Sequence, residues 1–378
     1  MKRIEFFKHN IAERDIRRAS KVLRSIFLTT GAEVGALEDG LRRYLGTEDV
    51  VGFTSCTAAL HLALLAWDIG PGDEVITPAM SFCATANSIL HAGAVPVFVD
   101  SEDSTGNIDA ALIQRRITRR TKAIMPVHLY GHLCDMRSIR RLADRHGLCV
   151  IEDAAHCLEG ARDGVRVGQL GDAAAFSFYA TKSITSGEGG ALSVHDRRRG
   201  DLLRRLRLHG IDKGAADRYT KKYRHWDMTA LGWKYNMDNI QAALLLGQLG
   251  EADKLCARRR RIADAYERGL AGVPGITLLR TAPRTEHGRH LFTIRVPAPR
   301  RDGILSRLQD AGVGVAVNYR PIHLLSYYRS RFGYAPGAFP VAERIGAETL
   351  SLPLYPKLQD PEVRAVIRAV RETMTRHG

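Results

Sequence analysis

Between Val50 and about Asp196 the chain alternates short, apolar, β-branched runs with amphipathic stretches of helical period, and this alternation constrains the fold more than any other feature. The runs are VVGFT, EVITP, VPVFVD, KAIMPV, LCVIED, AAFSFY and ALSV. Strands that are apolar at consecutive positions and mostly separated by helices belong to a largely parallel sheet covered on both faces, so the fold class is α/β. Gly70-Pro71-Gly72-Asp73 marks a tight turn, and Gly93 precedes another strand. After Val194 a helix carries an Arg-rich stretch, and a polar region without clear period then runs from Gly210 to Tyr235. A connection of that length inside a compact domain is expected to be functional or intersubunit. From Asp238 an apolar-periodic helix, NIQAALLLGQL, leads into ARRRRIADAYERGL, and beyond Gly275 the strand-like HLFTIRV and VGVAVNY alternate with helices. We expect a large domain over residues 1–245 and a smaller α+β domain over 246–378.

A length of 378 residues, 45% of them hydrophobic, suits such a pair of domains. The opening MKRIEFFKHNIAERDIRR lacks the apolar core of a signal peptide, and no stretch approaches the roughly 20 apolar residues that span a bilayer, so a cytoplasmic protein is expected. The 6 cysteines are scattered, without zinc-knuckle spacing or a compact disulfide framework, and the histidines form no HExxH-type run. We therefore expect buried thiols and no metal. The net charge of +15 invites a nucleic-acid reading. Its densest arginine runs, however, fall in segments of helical period without interleaved aromatics, which describes solvated helix faces. Anionic small substrates also explain a positive mouth, so no nucleic-acid partner is expected.

The carboxyl edge of an open α/β sheet is where ligands bind, and four groups there match the needs of pyridoxal 5′-phosphate (PLP): a lysine to hold its aldehyde, a carboxylate against its pyridine nitrogen, donors for its phosphate, and flat groups on its faces. Asp153 ends the strand LCVIED, where its charge would keep the pyridine nitrogen protonated. Taken alone, Asp153 equally suits the cap of a helix starting at Ala154. Lys182 follows AAFSFY and precedes the glycine-rich SITSGEGG, a setting that presents an amine at a strand edge and lowers its pKa by desolvation. Ser55-Cys56-Thr57-Ala58-Ala59 opens the helix LHLALLAW, whose free N–H groups and dipole favour an anion. The Thr57 hydroxyl would add a donor, and simple N-capping by Ser55 or Thr57 is compatible with that role. Ser177, inward on its strand, is a further donor.

The segments IEDAAH (151–156), FSFYATKSITSGEGG (176–190), PAMSFCATANSILHAGAVPVFVD (78–100) and GWKYNMDNIQAALLLGQL (232–249) resemble the DegT/DnrJ/EryC1/StrS family of nucleotide-sugar aminotransferases. The likeness runs from LTTGAEVGALEDGL (28–41) to SLPLYP (351–356). It implies the fold type I aminotransferase architecture, a homodimer, and active sites built from both subunits. It also implies that Lys182 is the cofactor-bearing lysine, Asp153 the pyridine partner, Phe82 the stacked ring and His156 the group near its other side. Thr57, Ala58 and Ser177 would bind the phosphate, and Asn236 would reach the phosphate in the neighbouring subunit. His323 and Tyr319, in NYRPIHLLSYY, correspond to positions near the sugar.

Within that resemblance, members that aminate C4 of a 4-keto-6-deoxy sugar nucleotide read TK-x-IT-x-GEGG, and many C3-aminating members read closer to K-x-LGA-x-GDGG. Thr181 to Gly190 follow the first pattern. The expected reaction takes an amino group from L-glutamate and places it on that sugar. Cyclitol aminotransferases share the TSGEGG ending and are the alternative acceptor class. A dehydratase of the same family would replace the lysine, usually by histidine, and a non-catalytic PLP-binding regulator would keep Lys182 but lose substrate-contacting residues such as His323; no helix-turn-helix pattern is read in this sequence, and the regulator is ranked last.

Overall fold

The structure, a computed structural model, describes residues 3–213 and 225–375. All seven runs of the alternating region form strands: β1 (Asp49–Phe53), β2 (Glu74–Pro78), β3 (Val95–Val99), β4 (Thr121–Ile124), β5 (Cys149–Asp153) and, beyond the short β6 (Ala161–Arg162) and β7 (Val165–Arg166), β8 (Ala173–Ser177) and β9 (Gly190–Val194). They share one sheet in the order β1-β9-β8-β5-β4-β2-β3. From β3 through β2, β4 and β5 to β8 the pairing is parallel. β9 runs antiparallel to both β8 and β1. No helix connects β8 to β9, and a short link can only bring the chain back antiparallel.

Successive strand residues point to opposite faces, and here both faces are dry. Val50, Ile76, Ile124, Val150 and Ala174 pack in one core with residues of the helices Ala32–Leu45 and Asn239–Leu249. Val51, Val75, Ala123, Ile151 and Ala175 pack in a second core with the helix Cys56–Ala66, which is buried nearly all round. The same phase reaches the strand ends. Ile151 and Ala175 face Cys56–Ala66, so Asp153 and Ser177, two residues on, point to that side, and Glu152 points to the other.

In the C-terminal part, β10 (Thr277–Leu278), β12 (Phe292–Arg295) and β13 (Thr349–Leu352) form an antiparallel sheet, while β11 (Thr285–Glu286) pairs with β6. Ile294 and Leu350 of this sheet pack with Ile262 and Tyr266 of the helix Ala252–Leu270 and with Val366 and Val370 of the helix Asp360–Thr375. VGVAVNY, expected as a strand, makes only single bridges, Val313 to Ile4 and Ala316 to Ser351. The N-terminal segment presses against it: a Cβ on Gly314 would stand 2.5 Å from the Phe6 nitrogen. We propose that the separate cores mark two units near the 245/246 border. Leu245 and Leu249 nevertheless lie together in the large core, and Ile4 packs in the small one.

Of the aperiodic 210–235 region, residues 214–224 lie outside the described residues, and so does that part of the expected intersubunit element. The described remainder returns along the end of the helix Arg197–Leu206, with Trp233 N–H on the Leu206 carbonyl at 2.7 Å and Tyr235 N–H on that of Arg207 at 2.9 Å, and meets the large sheet where Asn236 bridges Phe53 of β1. Among the described residues no helix is long and apolar enough to cross a membrane.

Candidate active site

A cavity of about 540 Å³ opens at the carboxyl edge of the strands that run in one direction. Lys182, Asp153, His156, Phe82, Thr57, Ser177 and Tyr319 line it together. Strand ends and the segments that follow them deliver most of these groups. Asp153 and Ser177 are the last residues of β5 and β8, Thr57 is the second residue of the helix after β1, and Phe82 lies in the turn after β2.

Asp153 is buried, yet no cation pairs with it among the described residues. Thr85 Oγ1 donates to its Oδ2 at 2.7 Å, and the Ala155 N–H donates to Oδ1 at 3.1 Å. The residues after Asp153 form a turn and not a helix, which removes the helix-cap alternative. Burial raises the Asp153 pKa against the lowering effects of Thr85, the Ala155 N–H and the Lys182 charge. A buried carboxylate that ionises reluctantly is a place prepared for a cationic group.

Lys182 sits in a turn, its N–H on the Tyr179 carbonyl at 2.9 Å. Burial lowers its pKa to about 8, opposed by the Cys56 thiol and Asp153. Its amine therefore gives up its proton more readily than an ordinary lysine does, toward the neutral state a nucleophilic amine requires. The glycines behind it are steric necessities. A Cβ on Gly190 would stand 2.3 Å from the Ser55 carbonyl carbon and 2.4 Å from the Cys56 nitrogen, so only glycine lets β9 begin against the helix N-terminus.

At that N-terminus Ser55 Oγ accepts the Ala58 N–H at 3.1 Å. This cap leaves the Thr57 and Ser177 side chains lining the cavity beside the positive end of the helix dipole, a setting that favours an anion. Phe82 keeps 55% of its surface exposed and presents a free aromatic face, with Tyr319 5.7 Å away. His156 is buried with its ring 4.5 Å from that of His290. A reluctant carboxylate, an amine of lowered pKa, a helix N-terminus with hydroxyls and an open aromatic face fit PLP in charge, donors and shape.

Three expected residues do not line this cavity. Ala58 lies one position along the helix, with its N–H taken by Ser55. Asn236 pairs with Phe53 at the end of β1, donates to Thr30 Oγ1 at 2.8 Å and accepts from Lys234 Nζ at 2.7 Å. Its expected role toward a neighbouring subunit involves a second chain. His323 is fully buried away from the cavity, its Nε2 3.0 Å from Glu343 Oε1 and its ring against Phe339. A substrate contact by His323 is not what this packing provides, because Glu343 and the aromatic cluster hold the ring.

Sequence reasoning missed Thr85, His290 and Asn318. Thr85 was legible in part, since it stands one helical turn after Ser81, and the two hydroxyls meet at 2.8 Å. His290 opens the run read only as a strand. Thr85→Val removes the single hydroxyl on Asp153, and a hydrogen bond to a charged acceptor contributes roughly 1.5–3 kcal/mol. Cofactor affinity is expected to fall about tenfold or more in a fluorescence titration of the apo-protein, and an unchanged affinity would detach Thr85 from the site.

The model of the DegT/DnrJ/EryC1/StrS aminotransferase family matches residues 9–371. The spore coat polysaccharide biosynthesis protein SpsC of Bacillus subtilis is 40% identical over 96% of this chain and 95% of its own. PseC of Helicobacter pylori, an aminotransferase involved in the biosynthesis of pseudoaminic acid, superposes with a TM-score of 0.93 at 30% identity, over 99% of this chain and 100% of that one. The PLP-form of Spr1654 from Streptococcus pneumoniae gives a TM-score of 0.93 at 32% identity, over 99% of each chain.

Proposed function

The chain belongs to the DegT/DnrJ/EryC1/StrS aminotransferase family of PLP-dependent enzymes, and from that premise we propose that it transfers the amino group of L-glutamate to a nucleotide-linked keto sugar, at C4 of a 4-keto-6-deoxyhexose. The observation that carries the transamination is the convergence of Lys182 and Asp153 on one cavity. The sugar is supported by the relatives, one in spore coat polysaccharide biosynthesis and one in pseudoaminic acid biosynthesis. The C4 position is supported by the segment Thr181 to Gly190.

PLP, when bound, supplies the carbonyl that takes up the amino group and the ring that stores the electrons left on carbon. The protein does the rest. Asp153 keeps a positive charge on the ring nitrogen within a buried pocket. Lys182 Nζ removes the Cα proton of L-glutamate and later delivers a proton to the sugar carbon that becomes the amine-bearing centre. Thr57, Ser177 and the helix N-terminus hold the phosphate, and Phe82 and His156 confine the ring.

The functional unit in this reading is a cytoplasmic homodimer in which Asn236 completes the partner's site. The exposure of Leu231, at 77%, and of Met228, at 56%, beside the segment that leads to Asn236 supports such a contact. L-Glutamate added alone to the holoenzyme is expected to yield one equivalent of 2-oxoglutarate per site. A nucleotide-linked 4-keto-6-deoxyhexose added next should yield one equivalent of amino sugar, with nitrogen on C4 by NMR. Nitrogen on C3, or product only from a cyclitol ketone, would overturn the substrate assignment.

A further inference from the structure

Lys182 stands in a stretch, residues 178–189, that is neither helix nor strand, so no regular ladder fixes where its amine points. Bonds inside the stretch close it into a turn. Thr185 Oγ1 donates to the Phe178 carbonyl at 2.9 Å and accepts the Gly187 N–H at 2.9 Å, and the Phe178 N–H donates to the Gly189 carbonyl at 2.9 Å. Two glutamines of the helix Asn239–Leu249 tie this turn to the body of the large domain. Gln248 Oε1 accepts the Thr185 N–H at 3.1 Å while its Nε2 donates to the Thr185 carbonyl at 2.8 Å, the two-way pairing that one strand offers another. Gln241 Nε2 donates to the Glu188 carbonyl at 3.0 Å. Positions seven apart are about two helical turns apart, so both glutamines stand on one face.

Thr185 and Gln248 are 2% and 1% exposed. A backbone N–H and carbonyl buried that deeply need a partner. An amide among the leucines of NIQAALLLGQL is a poor choice for packing alone, since Leu245 and Leu249 beside it fill the large core. We infer that Gln248, supported by Gln241, is a positioning residue whose amide holds the turn so that the Lys182 amine stays aimed into the cavity beside Asp153. This role rests on the reading of Lys182 as the reactive amine and adds to it the groups that aim that amine.

The Lys182 amine faces the Cys56 thiol, Asp153, His156 and His290, so its titration reports whether it keeps that setting. In the apo-protein, competitive labelling with acetic anhydride across pH, read on the Lys182 peptide by mass spectrometry, should give a midpoint of about 8 for the wild type. Gln248→Glu can still accept from Thr185. As a carboxylate it repels the Thr185 and Leu244 carbonyls, and as an acid it has one proton for the two. Its Lys182 midpoint is expected to rise by about one pH unit or more toward the ordinary lysine value as the turn opens to water. Gln241→Ala should move it less in the same direction, because Ser186 Oγ still donates to the Glu188 carbonyl. Val22→Ala loosens the same helix where it packs on Glu13–Leu23, away from the turn, and should lower the Tm without moving the midpoint. A midpoint unmoved in Gln248→Glu, one that moves as far in Val22→Ala, or an ordinary midpoint in the wild type overturns the inference. If Gln248→Glu does not fold, Gln241→Ala decides by the same criterion. Borohydride fixing of the cofactor on Lys182 of the wild type keeps the reading of that lysine apart from these outcomes, and a wild type that fixes it elsewhere overturns that reading and this inference together.

Discussion

Lys182→Met is expected to lower turnover by about 10⁴-fold or more, because covalent anchoring and proton transfer both depend on its Nζ. Lys182 is the one lysine among the described residues that line the cavity. Arginine does not substitute, since a guanidinium stays protonated and cannot act as the nucleophile. Borohydride treatment of the wild-type holoenzyme should fix the cofactor to the peptide that contains Lys182, read by mass spectrometry, and the variant should retain none. Cofactor fixed to another lysine with turnover preserved would end the assignment. The same residue makes a second forecast without cofactor. Its pKa falls from the ordinary 10.5 to about 8 on folding, chiefly through burial. Between those values the unfolded chain holds a proton that the folded chain has released, so wild-type apo-protein gains stability as pH rises through that window. Below about pH 8 the folded state carries a charge in a buried setting. Lys182→Met should therefore stabilise the apo-protein most at pH 7 and least near pH 10.5, as read by urea unfolding, and a gain independent of pH would contradict the burial.

How far the sequence could be read depends on where the deciding contact lies. The seven runs of the alternating region became strands because a sheet with two dry faces needs continuous apolar residues, a signal that is local. Asp153 and Ser177 were legible for the same reason: strand phase and strand end together fix where a side chain points. Thr85 escaped because its meaning is a contact with Asp153, 68 residues away. His323 shows the converse limit. The resemblance gave it a substrate role, but its orientation is set by Glu343 and Phe339, which no spacing rule connects to it. VGVAVNY has the composition of a strand and lost that pairing to the chain's own N-terminal segment, a competition between parts more than 300 residues apart.

Asp153→Asn is expected to lower kcat roughly 10³-fold, the scale of removing a preorganised charge from a buried site, while changing the stability of the apo-protein in the opposite sense. The substitution can be accommodated. The Asn oxygen can keep the Ala155 N–H, and its amide can donate to Thr85 Oγ1, which then turns its own proton to Ser81. Folding raises the pKa of Asp153, chiefly by burial, so above its ordinary titration range the folded state ionises a group that the unfolded state ionises more easily. The carboxylate thus weakens the apo-fold at neutral pH, and this penalty fades as pH falls through the raised folded-state pKa and is gone below the usual carboxyl value. Asp153→Asn should raise the apo Tm at pH 7 and leave it little changed near pH 3. Added PLP should then raise the Tm of the variant less than that of the wild type, since the gain from a bound ligand follows its affinity. A structural Asp153 would destabilise both forms when replaced. Only a carboxylate held ready for a cationic ring couples a more stable empty protein to a weaker hold on the cofactor, so the sign of the apo shift decides between these roles before any activity is measured.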